Sequence, residues 1–221
     1  MTNREYVEDL LALNEKIYID TSSLMNDTEL GRFLVQYQDI FEALNKKIIV
    51  TREVCLEIVR HLSSKNIEKQ EKAKSVILLL KNYSNLFIFE DKDLKQSEVS
   101  SAFADSELLS RITKDKSKHS QLLITNDKNL SVDAYKLNKL YSCKGKKIMV
   151  CFIDNLGQLN KGKTGFETNP NTLVIEQKTP EEQVEEQNNN QEGAKIFQKI
   201  IFGGCLLSVG FVLGKISNKL T

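Results

Sequence analysis

Short apolar runs alternate along this chain with longer segments in which apolar residues recur every three or four positions. The runs are Ile17-Tyr18-Ile19-Asp20, Ile48-Ile49-Val50, Leu86-Phe87-Ile88-Phe89, Leu122-Leu123-Ile124-Thr125-Asn126 and Ile148-Met149-Val150-Cys151-Phe152-Ile153. Their brevity and near lack of polar positions predict strands buried on both faces. Residues 4–14 predict a helix with a stripe of Tyr6, Val7, Leu10, Leu11 and Leu13, and a second at about 28–44 carries Leu30, Phe33, Leu34, Tyr37, Phe41 and Leu44. Thr51 caps a third helix through Leu62, and a lysine-rich one at about 67–82 turns its Val76-Ile77-Leu78-Leu79-Leu80 run inward. Two more are predicted at about 97–113 and 130–140. Strands alternating with helices predict an α/β fold: a three-layer α/β/α sandwich around a five-stranded parallel sheet. Right-handed crossovers then gather all the strand carboxyl ends at one edge. Periodicity leaves the order of the strands open.

The 221 residues suit one domain with an appendage better than two domains. Apolar residues make up 40% of the chain, enough for a core, and the core is mainly aliphatic because Trp is absent and aromatics reach only 7%. A net charge of +1 excludes a global field that would draw the protein onto nucleic acid, so such affinity needs local patches. Cys55, Cys143, Cys151 and Cys205 lack metal-type spacing, and residues 1–16 are charged and helix-like rather than signal-like. Reduced thiols in the cytoplasm are the expectation.

The pattern changes after Asp154. Residues 155–172 are rich in Gly, Asn and Lys, although Leu173-Val174-Ile175 suits a short strand, and residues 178–193 are acidic and amide-rich with a single Val. Such a stretch buries too little surface to offset its ordering entropy, so residues 155–193 read as a polar, partly disordered linker between a 1–154 domain and a hydrophobic helix at 194–221. Ile200 to Gly214 is uncharged and apolar, Lys195 and Lys199 flank one end, and Lys215 and Lys219 the other. About 20 apolar residues span a bilayer. Gly203, Gly204, Gly210 and Gly214 favour a membrane tail anchor through residues 196–214, with the 1–154 domain in the cytoplasm. The alternative is a helix that docks on the domain or on a partner.

Chemistry concentrates in the acids. Asp20 closes the first strand and Asp127 follows the fourth, while Glu57 and Asp105 lie in helices between them. Ligands of open parallel sheets bind in the crevice outside the strand carboxyl ends. Carboxylates gathered there repel one another unless a cation intervenes, and an all-oxygen cluster suits Mg²⁺ or Mn²⁺. Taken singly, each has a plain reading: Asp20 starts a turn, Asp127 caps a helix, and Glu57 and Asp105 are helix-surface charges.

Their joint order resembles the PIN-domain family of metal-dependent ribonucleases over about residues 15–153. The residues that carry the resemblance are Ile17-Tyr18-Ile19-Asp20-Thr21-Ser22, Val54-Cys55-Leu56-Glu57-Ile58, Ala104-Asp105-Ser106-Glu107-Leu108-Leu109 and Leu123-Ile124-Thr125-Asn126-Asp127-Lys128-Asn129-Leu130. The last motif is the most specific. The resemblance implies that Asp20, Glu57, Asp105 and Asp127 hold one or two divalent cations and that the chain hydrolyses RNA phosphodiester bonds. Ser22 and Thr125 would support a phosphate or a ligand, and Lys128 and Arg111 would face substrate. Many members are toxins of toxin–antitoxin pairs and many dimerise, which implies a toxin-like role, an inhibitor protein and a homodimer; the tethered tail is compatible with a defence-like role as well. The residues after 154 depart from the compact toxin form, and Asn129 stands where a further acid sometimes occurs.

Three alternatives compete with this reading. Haloacid-dehalogenase-like phosphatases need a second Asp two residues after the first, where Ser22 stands. A receiver domain would show a phosphoacceptor Asp and a late-strand Lys, neither of which is apparent. A catalytically inactive PIN-like scaffold that binds RNA or a protein partner at a membrane is the remaining alternative. Arg111, Lys114, Lys116, Lys118 and His119 form a basic loop whose plain reading is solvated surface, and His61 and His119 have no spacing that suggests metal ligation.

Overall fold

A computed structural model gives the fold for residues 1–91, 94, 98–99 and 104–162. The linker and tail expectations beyond 162, the 173–175 strand and the first turns of the 97–113 helix therefore lie outside the described residues. Among the described residues no helix is long and apolar enough to cross a membrane.

The chain alternates as the pattern predicts. Helix α1 (Asn3–Leu13) leads into β1 (Lys16–Ile19), the short α2 (Thr21–Leu24) and α3 (Asp27–Ala43). Then come β2 (Ile48–Val50), α4 (Arg52–Leu62), α5 (Ile67–Asn82), β3 (Phe87–Phe89) and α6 (Ala104–Asp115). Strand β4 (Gln121–Ile124), α7 (Lys128–Lys136), β5 (Ile148–Ile153) and β6 (Leu159–Lys161) complete it. Local chemistry sets several starts. Thr2 and Glu5 form a reciprocal capping box on α1, and Asn66 accepts the Lys69 amide at the head of α5.

The sheet has six strands in the order β3-β2-β1-β4-β5-β6. The first five are parallel; β6 runs antiparallel to β5, pairing Cys151 with Lys161 and Ile153 with Leu159. The expected five-stranded sheet thus gains a sixth strand, beyond residue 154 where the linker was expected to begin. Its cause is a local turn that the composition of 155–172 hides. The Asp154 carboxylate accepts the Leu156 and Gln158 amides at 2.9 and 2.8 Å, and Gly157 adopts a positive φ of 77°.

Alternate strand positions feed two apolar clusters, as period-two geometry requires. Ile17, Ile19, Ile48, Val50, Leu122, Ile124, Cys151 and Ile153 join side chains from α1, α3, α4 and α5. Tyr18, Leu123, Ile148 and Val150 join Leu108 and Ile112 of α6 with Leu130 and Ala134 of α7. The inward expectation for residues 76–80 is corrected in part: Val76, Ile77 and Leu80 are buried, but Leu78 is 59% exposed. A helix of 3.6 residues per turn cannot turn five consecutive side chains to one side. Leu13, counted in the α1 stripe, is likewise exposed.

One polar network fixes α6 against the sheet. The Asp115 carboxylate accepts hydrogen bonds from Lys16 Nζ at 2.6 Å and Tyr18 Oη at 2.7 Å. The C-terminal end of α6 therefore meets the first residue of β1. Its first turn, with Asp105, stands toward the carboxyl edge of the sheet.

Candidate active site

Strand order decides where a site can form. The chain builds outward from β1 through β2 to β3, returns by α6 to β4 on the other side of β1, and continues to β5. Crossovers leave β1 and β4 in opposite directions, so their carboxyl ends bound the switch-point crevice where open α/β sheets bind ligands. Register sets Ile19 beside Ile124, so Asp20 and Thr125 emerge next to each other.

Asp20 sits at the centre of this crevice and is only 2% exposed. Its carboxylate caps α2 by accepting the Ser23 amide at 3.0 Å, and it accepts the hydroxyls of Ser22 and Thr125, each at 2.8 Å. Burial dominates its titration and pushes its pKa up to about 6, against the pull of those donors toward the charged form. The strand-end turn and the candidate ligand are therefore the same side chain.

Thr125 links Asp20 to Asp127. Its Oγ1 donates to Asp20 and accepts the Asp127 amide at 3.0 Å. Asp127 in turn caps α7, one carboxylate oxygen accepting the amides of Asn129 at 2.6 Å and Leu130 at 3.0 Å. Glu57 arrives from α4 through the residue next to Asp20: Thr21 Oγ1 donates to Glu57 at 2.5 Å, and Arg60 pairs with its other oxygen at 2.8 Å.

The structure thus joins Asp20, Ser22, Thr125 and Asp127 in one hydrogen-bonded unit and brings Glu57 beside it through Thr21. Asp105 is exposed on the first turn of α6, a helix packed against both α4 and α7. Lys128 is exposed at the first position of α7, next to Asp127. Arg111 pairs with Glu90 and lies 3.6 Å from the Asp115 carboxylate, so it serves the α6 network. His119 bonds Glu15 at 2.7 Å, and buried Lys116 donates to the Cys143 carbonyl. Three of the five members of the expected basic loop, Arg111, Lys116 and His119, are therefore tied into local structure.

Sequence reasoning missed three participants. They are Thr21, Ser23 and Asn126: Thr21 and Asn126 stand in the motifs that carry the resemblance without a role of their own, and Ser23 lies just past the first of them. Asn126 accepts the Ser23 hydroxyl at 2.9 Å and donates to the Ile153 carbonyl at 2.8 Å. The signal was present in the polar run Thr21-Ser22-Ser23 facing Thr125-Asn126, but it needs the β1–β4 neighbourhood to be legible.

The four acids suit a hard divalent cation in kind, being oxygen donors only. Among the described residues, no group of three or more His, Cys, Asp or Glu side chains is placed to hold a metal ion as they stand. Ser22 bonds Asp20, Thr21 and Arg60 bond Glu57, and one oxygen of Asp127 serves the α7 cap, so a cation would use the lone pairs these bonds leave on the carboxylates. Comparison of the chain with family models, curated proteins and solved structures gave no match.

Proposed function

We propose that the chain is a Mg²⁺- or Mn²⁺-dependent endoribonuclease whose domain is a three-layer α/β/α sandwich of the PIN type. The observation that carries this reading is a carboxylate, Asp20, buried at the β1–β4 switch point and coupled through one hydroxyl to Asp127. Burying a carboxylate there disfavours its charged form, and a divalent cation relieves that penalty. Asp20, Glu57, Asp105 and Asp127 would hold the cation. When bound, it would acidify a water and neutralise charge on the scissile phosphate. Ser22 and Thr125 orient Asp20, Thr21 and Arg60 orient Glu57, and Lys128 offers an exposed cation beside Asp127 for a substrate phosphate.

Purified protein with Mn²⁺ should cut labelled RNA in preference to DNA. Asp20→Asn and Asp127→Asn should each remove most of that activity, and cutting at the wild-type rate by both variants would end the proposal.

A second reading, a PIN-like scaffold without activity, draws on the same geometry. Protein donors already engage Asp20 and Glu57, with Arg60 neutralising the latter. Calorimetric titration separates the two, since a scaffold need not bind Mn²⁺ through these carboxylates. Under either reading, residues 196–214 would tether the domain to a membrane from the cytoplasmic side. An inhibitor protein or a second copy of the chain would be its partner. Equal solubility of the full chain and a form cut at about residue 193 would exclude the tether.

A further inference from the structure

We propose that Asn126 is a positioning residue, whose side-chain amide stands in for a missing sheet rung and thereby holds the Asp20 turn and Asp127 in register. This inference rests on the site described above and names what keeps it assembled.

The regular β4–β5 ladder ends where Thr125 donates its amide to the Cys151 carbonyl at 2.8 Å. Beyond that point β5 continues to Ile153, while the β4 backbone turns away so that Asp127 can start α7. Ile153 would be left with two peptide groups facing no strand. Asn126 meets both: its Nδ2 donates to the Ile153 carbonyl at 2.8 Å and its Oδ1 accepts the Ile153 amide at 3.3 Å. A side-chain amide has the same donor and acceptor as a peptide, so the ladder is extended without the backbone. Asp lacks the donor, Ser lacks the acceptor carbonyl, and Gln is one methylene too long to hold the same place.

The same amide reaches α2. Its Oδ1 accepts the Ser23 hydroxyl at 2.9 Å, and Ser23 is fully buried. The Asn126 backbone amide donates to Ser22 Oγ at 3.1 Å, and Ser22 Oγ in turn donates to Asp20. The Ile153 N–H and C=O fix which way the amide faces, since only its oxygen can accept from the one and only its nitrogen can donate to the other, and the Ser23 hydroxyl then donates to that oxygen. One side chain therefore ties β5, the turn after β4 and the Asp20-bearing helix start together.

Asn126→Ala removes the whole clamp, and Ser23→Ala removes only the link to α2, which keeps the test open should the first variant not fold. Amide hydrogen exchange is read on the full chain at Ser23, held by Asp20, and at Leu130, held by Asp127. Both should exchange faster by roughly tenfold in Asn126→Ala, the weight of about one hydrogen bond, while amides between β1 and β2 keep their relative protection. Ser23→Ala should affect the Ser23 amide alone. With RNA and Mn²⁺, kcat should fall by about tenfold or more in both variants at nearly constant KM. Uniform loss of protection across the sheet with unchanged kcat would mean a structural plug and overturn the inference. Failure of the wild-type protein to cut RNA would sink the ribonuclease reading instead, and the exchange pattern would still decide the role of Asn126.

Discussion

The Thr125 hydroxyl donates to the Asp20 carboxylate at 2.8 Å and accepts the Asp127 amide at 3.0 Å, so one side chain couples two acids that lie far apart in sequence. Thr125 and Asp20 are each 2% exposed, so the Asp20 carboxylate has no water to replace the hydroxyl when it is lost. Thr125→Val preserves the shape and deletes both bonds. It should destabilise the domain by about 1–3 kcal/mol, the range for a buried polar group left unmatched. Thr125→Ser should recover most of that. Urea unfolding of the two variants at pH 8 would check it; a neutral Val substitution would mean that the hydroxyl is incidental.

Asp20 makes stability depend on pH in an unusual direction. Its folded midpoint is about 6, above its ordinary value of 3.8. A carboxylate raised in this way favours folding when protonated. Its contribution is present below about pH 4 and is lost as pH rises through 6. Asp20→Asn is neutral throughout, so without metal it should be more stable than wild type at pH 8. The ceiling is roughly 3 kcal/mol, from about two pH units at 1.36 kcal/mol each. The difference should vanish near pH 4. Thermal melts across pH 4–8 test this, and added Mn²⁺ should narrow the gap at pH 8 by stabilising wild type alone. A variant weaker than wild type at pH 8 without metal would show that the buried charge is not strained.

Asp127 has a structural and a chemical duty that substitution can separate. Its carboxylate caps α7, and its charge belongs to the proposed metal site. Asp127→Ala should cost about 1 kcal/mol through loss of the cap, whereas Asp127→Asn keeps a capping oxygen and should lose little. Mn²⁺ affinity should fall in both. If calorimetry finds full affinity in Asp127→Asn, Asp127 is only a cap.

Gly157 anchors the β5–β6 hairpin to α3. Its φ of 77° is accessible to glycine at little strain, and an added Cβ would lie 2.5 Å from Arg32 Cβ and 2.8 Å from the Phe33 amide nitrogen. Arg32 also donates to the Asn155 carbonyl, and Gln36 donates to that of Leu156 at 2.8 Å. Gly157→Ala should lower stability by more than about 1 kcal/mol and raise exchange at Asn160 and Lys161 before the parallel strands. An unchanged melting temperature would show that the hairpin sits loosely on α3.

Elements with strong local signals were legible in advance. The Ile48–Val50 and Ile148–Ile153 strands and the 67–82 helix stand where periodicity put them, because a run of aliphatic residues or a capped, lysine-rich helix carries its own signal. The β6 strand did not, because its three residues include Asn160 and Lys161 and its stability comes from the Asp154 turn and from pairing with β5. That Glu57 lies in a helix follows from periodicity, but its engagement by Thr21 depends on how α2 packs near α4.

Sequence alone therefore determined the alternation of strands and helices and the position of Asp20 and Asp127 at strand ends, since both follow from local spacing and backbone preference. Only the tertiary structure decided that β4 returns beside β1. That pairing is long-range, and it makes neighbours of Asp20 and Thr125, buries the former, and gives Asn126 a strand end and a helix start to join. A carboxylate's chemistry follows from what surrounds it, and Asp20 is held both by its neighbours Ser22 and Ser23 and by Thr125, 105 positions away.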